Sequence, residues 1–134
     1  MAATGPEIEY PTAEQVCDIN YRMIKETGGR WDPPDNGQNL GSLEYVLYAI
    51  SSTFFGVDRY PSLKEKAAGL AHHIISRHVF NDGNKRTGMQ IALEFLEKSS
   101  VTIRVDPSLI TIAEALGEGS ADAADFLLWL HEHQ

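Results

Sequence analysis

Cysteine is all but missing: Cys17 stands alone among 134 residues. It cannot close an internal disulfide, and zinc sites built on cysteine need more than one thiolate. It also falls on a predicted helix, which favours a packed thiol over a nucleophile. Long apolar runs are absent too, and none approaches the roughly 20 residues that span a bilayer. The opening Met1-Ala2-Ala3-Thr4-Gly5-Pro6-Glu7 has neither a basic start nor an apolar signal core. A cytoplasmic protein without membrane contact is expected. Positive charge is scarce, since 11 Lys and Arg face 19 Asp and Glu for a formal net charge of −8. Nucleic-acid affinity rests on cations that neutralise phosphates, so neither DNA nor RNA is expected as a direct partner.

What is there is an ordinary globular composition, 43% hydrophobic and 22% charged, on a length that suits one domain over residues 1–134. Residues 1–10 read as a loose lead. Thr12-Ala13-Glu14-Gln15 is a capping box, and Val16, Ile19 and Met23 give the buried stripe of a helix that stops at Gly28-Gly29. Pro33-Pro34-Asp35-Asn36-Gly37 predicts an exposed loop. A second helix is expected from about Gly41 to Thr53, ending near Gly56. A third opens at the capping box Ser62-Leu63-Lys64-Glu65, with Leu63, Ala67, Leu70 and Ile74 on one face. On that wheel His78 falls beside Ile74 and Ile75. A fourth helix, from about Asn84 to Lys98, has so small a polar arc that it should be the most buried. Val101-Thr102-Ile103-Arg104-Val105 alternates and predicts one short extended segment. Asp106-Pro107 opens a helix to Leu116 that ends at Gly117, and Ser120 caps a last one. The pattern is an all-α compact bundle of about six helices.

The bend between the third and fourth helices concentrates chemistry. Asp82-Gly83-Asn84-Lys85-Arg86 lies at a helix start, where free backbone N–H groups and the positive end of the dipole favour an anion. Lys85 and Arg86 add two cations where the dipole disfavours them, which asks for an anion. Gly83 allows a phosphate close to the main chain. Asp82 beside a phosphate is the usual arrangement for Mg²⁺. His78 would bring an imidazole to the same pocket, with base and acid both open to it, since histidine is the commonest general base while the negative end of its helix favours the protonated form. Phe80 reads as an apolar anchor that pins the loop. Taken alone, Asn81-Asp82-Gly83-Asn84 also reads as an ordinary tight turn. Lys85 lacks the glycine frame of a P-loop, and an EF-hand loop from Asp82 would need Glu where Leu93 stands. His72, His73, His131 and His133 read as surface residues.

The stretch His78-Val79-Phe80-Asn81-Asp82-Gly83-Asn84-Lys85-Arg86 is similar to the Fic/Doc signature, His-x-Phe-x-(Asp or Glu)-(Gly or Ala)-Asn-(Gly or Lys)-Arg. Tyr10-Pro11-Thr12, Gly41-Ser42-Leu43-Glu44, Pro61 to Ala67 and Glu94-Phe95-Leu96 also resemble small members of the Doc branch. The resemblance implies a helical-bundle fold and a transferase. His78 would be the base for a target hydroxyl, Asp82 would hold Mg²⁺, and Gly83, Asn84, Lys85 and Arg86 would cradle the phosphates of ATP. AMP-transferring relatives generally carry Gly before the Arg and a second Arg three residues after it. Here Lys85 and Met89 occupy those places, which points to Doc-type transfer of the terminal phosphate of ATP to a protein hydroxyl. Translation elongation factor Tu is the known kind of target. Gly83 stands where Doc itself has Ala, which keeps AMP transfer as the alternative, with an inactive Fic-like binding module behind it. The family's inhibitory motif is lacking because Glu114 stands where Ser or Thr is required, so a separate antitoxin protein is the expected regulator.

Overall fold

A computed structural model describes residues 7–134; the first six residues of the expected N-terminal lead lie outside the described residues. Six helices appear in order: α1 (Ala13–Thr27), α2 (Leu40–Ser51), α3 (Leu63–Ser76), α4 (Asn84–Lys98), α5 (Ser108–Glu118) and α6 (Ala123–Glu132). Among the described residues the only sheet is a two-stranded hairpin, β1 (Thr53–Phe54) and β2 (Val57–Asp58), so the fold is the mostly helical bundle expected. No described helix is long and apolar enough to cross a membrane.

The capping box of α1 is complete. Thr12 Oγ1 accepts the Gln15 N–H at 3.2 Å, and Gln15 Oε1 accepts the Thr12 N–H at 2.9 Å. Its buried face is Val16, Ile19 and Ile24, with Asn20 among them; Met23 is only half-buried. At α3 only half of the expected box forms, with Ser62 accepting from Glu65 at 3.0 Å. The most buried helix is α3, not α4. Its Ala67, Ala68, Gly69 and Ala71 read as weakly apolar in sequence, yet their small size lets neighbouring helices approach from several sides. A hairpin then replaces the expected tail of α2. Thr53 pairs with Asp58 and Phe54 with Val57, around Phe55 and Gly56, both at positive φ as a tight two-residue turn requires.

The extended segment expected at 101–105 has no strand partner. It is irregular, its Val101 and Ile103 resting on the core and the Arg104 N–H bonded to the His133 carbonyl at 2.6 Å. Gly117 lies inside α5, which ends at Gly119, the residue that takes left-handed φ (82°). Asp122, not Ser120, caps α6 and exchanges bonds with Asp125, because a carboxylate there accepts the free N–H groups directly.

Two apolar clusters share α3 and α4. One joins them to α5 and α6 through Leu116, Phe126, Trp129 and Leu130. The other joins them to α1 and α2 through Val16, Leu43, Val46 and Ile50, and it includes Val79 and Phe80 of the α3–α4 loop. Both loop residues are fully buried. The bend that carries the signature therefore has its middle in the core.

Candidate active site

The α3–α4 bend begins with a helix end of a defined kind. The last helical residue is Ser76, Arg77 is the C-cap, and His78 follows at φ 49°. The Val79 N–H reaches back to the Ile74 carbonyl at 3.4 Å. This is a Schellman ending, in which the residue at the left-handed position is usually glycine. His78 fills it instead. It is therefore not on the helix wheel beside Ile74 and Ile75, as its spacing suggested, but turned out and exposed.

From Val79 the chain pairs with the loop before α2. The amides of Gln38 and Asn39 both reach the Val79 carbonyl at 2.9 Å, and the Asn81 N–H donates to the Asn36 carbonyl at 2.8 Å. The Asn84 side chain closes the bend on itself. Its Oδ1 accepts the Phe80 N–H at 2.9 Å and its Nδ2 donates to the Phe80 carbonyl at 2.8 Å. Its amide thus shapes the loop in which the phosphate cradle was expected. Gly83 has φ 79°, and no side chain caps the N-terminus of α4. The first turn of α4 is left with its N–H groups open at Asn84, Lys85 and Arg86, the arrangement that attracts an anion.

Asp82 is fixed at the rim of that turn. Its Oδ2 accepts the Arg30 N–H and its Oδ1 the Gly83 N–H, each at 2.8 Å. The Arg30 amide is the main reason its carboxyl lies below the usual range; the Gly83 amide and the charges of Arg86 and Arg30 act the same way. The group is an anion at neutral pH, with lone pairs left on both oxygens. Among the described residues no set of three His, Cys, Asp or Glu side chains could cage a metal. One carboxylate beside an open anion site instead fits Mg²⁺, which takes one or two carboxylates and completes its shell with phosphate oxygens and water.

The two cations behave differently. Lys85 is exposed, and its stem lies against α5, where a Cβ on Gly117 would stand 2.8 Å from Lys85 Cε. Arg86 turns to the end of α1, donating to the Gly28 carbonyl at 2.8 Å, to Thr27 Oγ1 and, at 3.4 Å, to the Met23 carbonyl. Next to both runs a mostly apolar cleft of about 260 Å³ walled by Met23, Met89, Leu93, Leu109 and Ile110. Met89, which replaces a possible second arginine, is 5% exposed.

Several functional neighbours were invisible to the sequence pattern. Asn20 and Asn36 are buried and hydrogen-bonded to each other at 3.0 Å, and Asn20 reaches the Asp82 carbonyl at 2.9 Å. The one signal for Asn20 was a polar residue four positions after Val16 on the buried stripe. Away from the site, His73 and His133 are not the surface residues expected. His73 is half-buried with Nε2 on Ser42 Oγ. His133 stacks on Trp129 and bonds the Asp106 carboxylate at 3.0 Å. Burial keeps the Cys17 thiol up, as suits a packed thiol.

Comparison with known proteins adds two findings. The model of the Fic/DOC family matches residues 10–96. The curated protein "Toxin Doc" of Mycolicibacterium smegmatis (strain ATCC 700084 / mc(2)155) is 36% identical over 69 residues, 52% of this chain and 53% of that protein. The chain therefore matches about half the length of that relative.

Proposed function

The chain belongs to the Fic/DOC family, and from that premise we propose that it is a single-domain, Doc-like toxin that moves the terminal phosphate of ATP onto a Ser or Thr hydroxyl of a target protein. The observation that carries this reading is His78 at the left-handed end of α3. A side chain costs about 1–2 kcal/mol there where glycine would cost nothing. An exposed imidazole kept at such a position, beside an open helix N-terminus, has the chemistry of a base whose place matters more than its stability.

In this mechanism the imidazole of His78 takes the proton of the target hydroxyl. The hydroxyl oxygen forms a bond to the terminal phosphorus, the bond from that phosphorus to the bridging oxygen breaks, and ADP leaves with the electron pair. The open N–H groups at the start of α4 and the Lys85 ammonium hold the phosphate oxygens. Asp82 would hold Mg²⁺, which supplies charge neutralisation to the phosphates. Arg86 steadies the cradle from the α1 side. The apolar cleft next to Lys85 suits the nucleoside end, and buried Met89 offers no cation to a more distant phosphate.

Elongation factor Tu is the class of target proposed, with action in the cytoplasm under control of a separate antitoxin. The reading that competes is AMP transfer, which Gly83 favours over the Ala of Doc itself. Incubating the protein with a bacterial lysate and ATP labelled at either the α or the γ phosphate separates them. Label on a protein from γ-labelled ATP alone is the expected result; label from α-labelled ATP would replace phosphate transfer by AMP transfer.

A further inference from the structure

The Asp82–Gly83 peptide is the hinge of the anion site. In a trans peptide the C=O and the following N–H point to opposite sides, so whatever grips the Asp82 carbonyl also aims the Gly83 N–H. Because residue 83 is glycine, both left- and right-handed values of its φ are open, and such a peptide can flip as a unit unless something holds it. Asn20 holds it. Its Nδ2 donates to the Asp82 carbonyl at 2.9 Å and to Thr87 Oγ1 at 3.0 Å, one residue past the open turn of α4. A free amide could rotate half a turn and present its oxygen to the same carbonyl. Asn36 prevents this, since its Nδ2 donates to Asn20 Oδ1 at 3.0 Å and to the Arg30 carbonyl at 3.1 Å. Asn36 is itself fixed, because its Oδ1 accepts the Asp32 N–H at 2.9 Å and its carbonyl accepts the Asn81 N–H at 2.8 Å. Asn20, Asn36 and Thr87 are all fully buried, so water offers no substitute partner.

We infer that Asn20, oriented by Asn36, is a positioning residue that fixes the Asp82–Gly83 peptide and thereby holds the Asp82 carboxylate, whose Oδ1 accepts the Gly83 N–H at 2.8 Å, at the rim of the open first turn of α4. This inference rests on the proposed phosphate-transfer site only for its kinetic consequence. The chain of amides runs from α1 through the loop before α2 to the head of α4, so three elements that are far apart in sequence converge on one peptide plane. Asn36 also suits its backbone, with φ 60°, a left-handed value that asparagine accepts more readily than most side chains.

The test uses the full chain and the variants Asn20→Ala, Asn36→Gly and Leu130→Ala. Asn36→Gly keeps the left-handed backbone accessible and removes only the amide. Leu130→Ala, in the other core cluster, controls for general destabilisation. The ¹⁵N–¹H resonance of Gly83 is followed in the nucleotide-free protein and on addition of Mg·ATP, alongside thermal melting and γ-phosphate transfer. In both asparagine variants the Gly83 resonance of the free protein should move or broaden. Transfer should fall about 30-fold for Asn20→Ala, the effect of two buried hydrogen bonds, and less for Asn36→Gly. The loss should appear mainly in kcat. Leu130→Ala should melt lower yet leave the Gly83 resonance and kcat near the parent values. An unchanged Gly83 resonance in Asn20→Ala overturns the inference, and so does loss of a cooperative melt in both asparagine variants, which would make the pair a stabilising device only. If the parent chain transfers no phosphate while the Gly83 resonance still depends on Asn20, the positioning holds and the proposed reaction falls.

Discussion

Replacing His78 by glycine should make the protein more stable while removing its activity. The imidazole is exposed, so little buried surface is lost, and its backbone stands at φ 49°. Relief of a left-handed L-residue is worth about 1–2 kcal/mol, toward the lower end for histidine, which tolerates that region better than most. The greater freedom of glycine in the unfolded chain takes back about 0.4–1 kcal/mol. The net gain is up to about 1 kcal/mol, or up to about 4 °C in melting temperature for a chain of this length. The companion His78→Ala removes the ring but keeps a Cβ in the strained position, so it should melt close to the parent. Calorimetric melting of the three proteins, with transfer of γ-label in parallel, reads both effects. Transfer should vanish in both variants while only the glycine variant gains stability. A glycine variant that melts at or below the alanine variant refutes the strain argument. Unchanged transfer in either variant refutes the base.

Two further outcomes follow from the same geometry. Asp82 has its pKa lowered chiefly by the Arg30 amide, so its contribution is present above the ordinary carboxylate value of about 3.9 and is lost as pH falls through the lower folded value. In acid the Arg30 amide should lose protection relative to its intrinsic exchange rate at the same pH, and Asp82→Asn should remove that pH dependence from Arg30 while leaving distant amides alone. Phe80 is fully buried in the cluster shared by α1, α2 and α3. Phe80→Ala should cost about 3–5 kcal/mol, measured by urea unfolding, and a loss under about 1 kcal/mol would show that the bend is not anchored there.

The sequence revealed the helices where apolar spacing and caps agree. Thr12 with Gln15, and Asn84 after Gly83, mark α1 and α4 to the residue. Gly117 and Ser120 each mark a helix boundary two residues too early, because backbone φ at Gly119 and the carboxylate of Asp122 set the ends and neither effect is visible in a pattern. The hairpin at Thr53–Asp58 was hidden because two residue pairs carry no alternation. In the candidate site, the signature gave the residues but not their directions. Asn84 spends its side-chain amide on Phe80 and Arg86 its Nη1 on the end of α1, and Asn20 bonds residues 62 and 67 positions away, beyond any local periodicity. His133 next to Asp106 was missed for the same reason.

The grip of Arg86 on the end of α1 has an electrostatic meaning of its own. The last carbonyls of α1 form the negative pole of that helix, and they converge on the neighbourhood of the open turn of α4. An unshielded pole there would repel phosphate. The guanidinium works as an insulator between the two helices: it absorbs the field of one so that the other can present its positive pole undiminished. A neutral side chain in its place would leave those carbonyl oxygens bare, and an anion at the head of α4 would then face the negative pole of α1 directly.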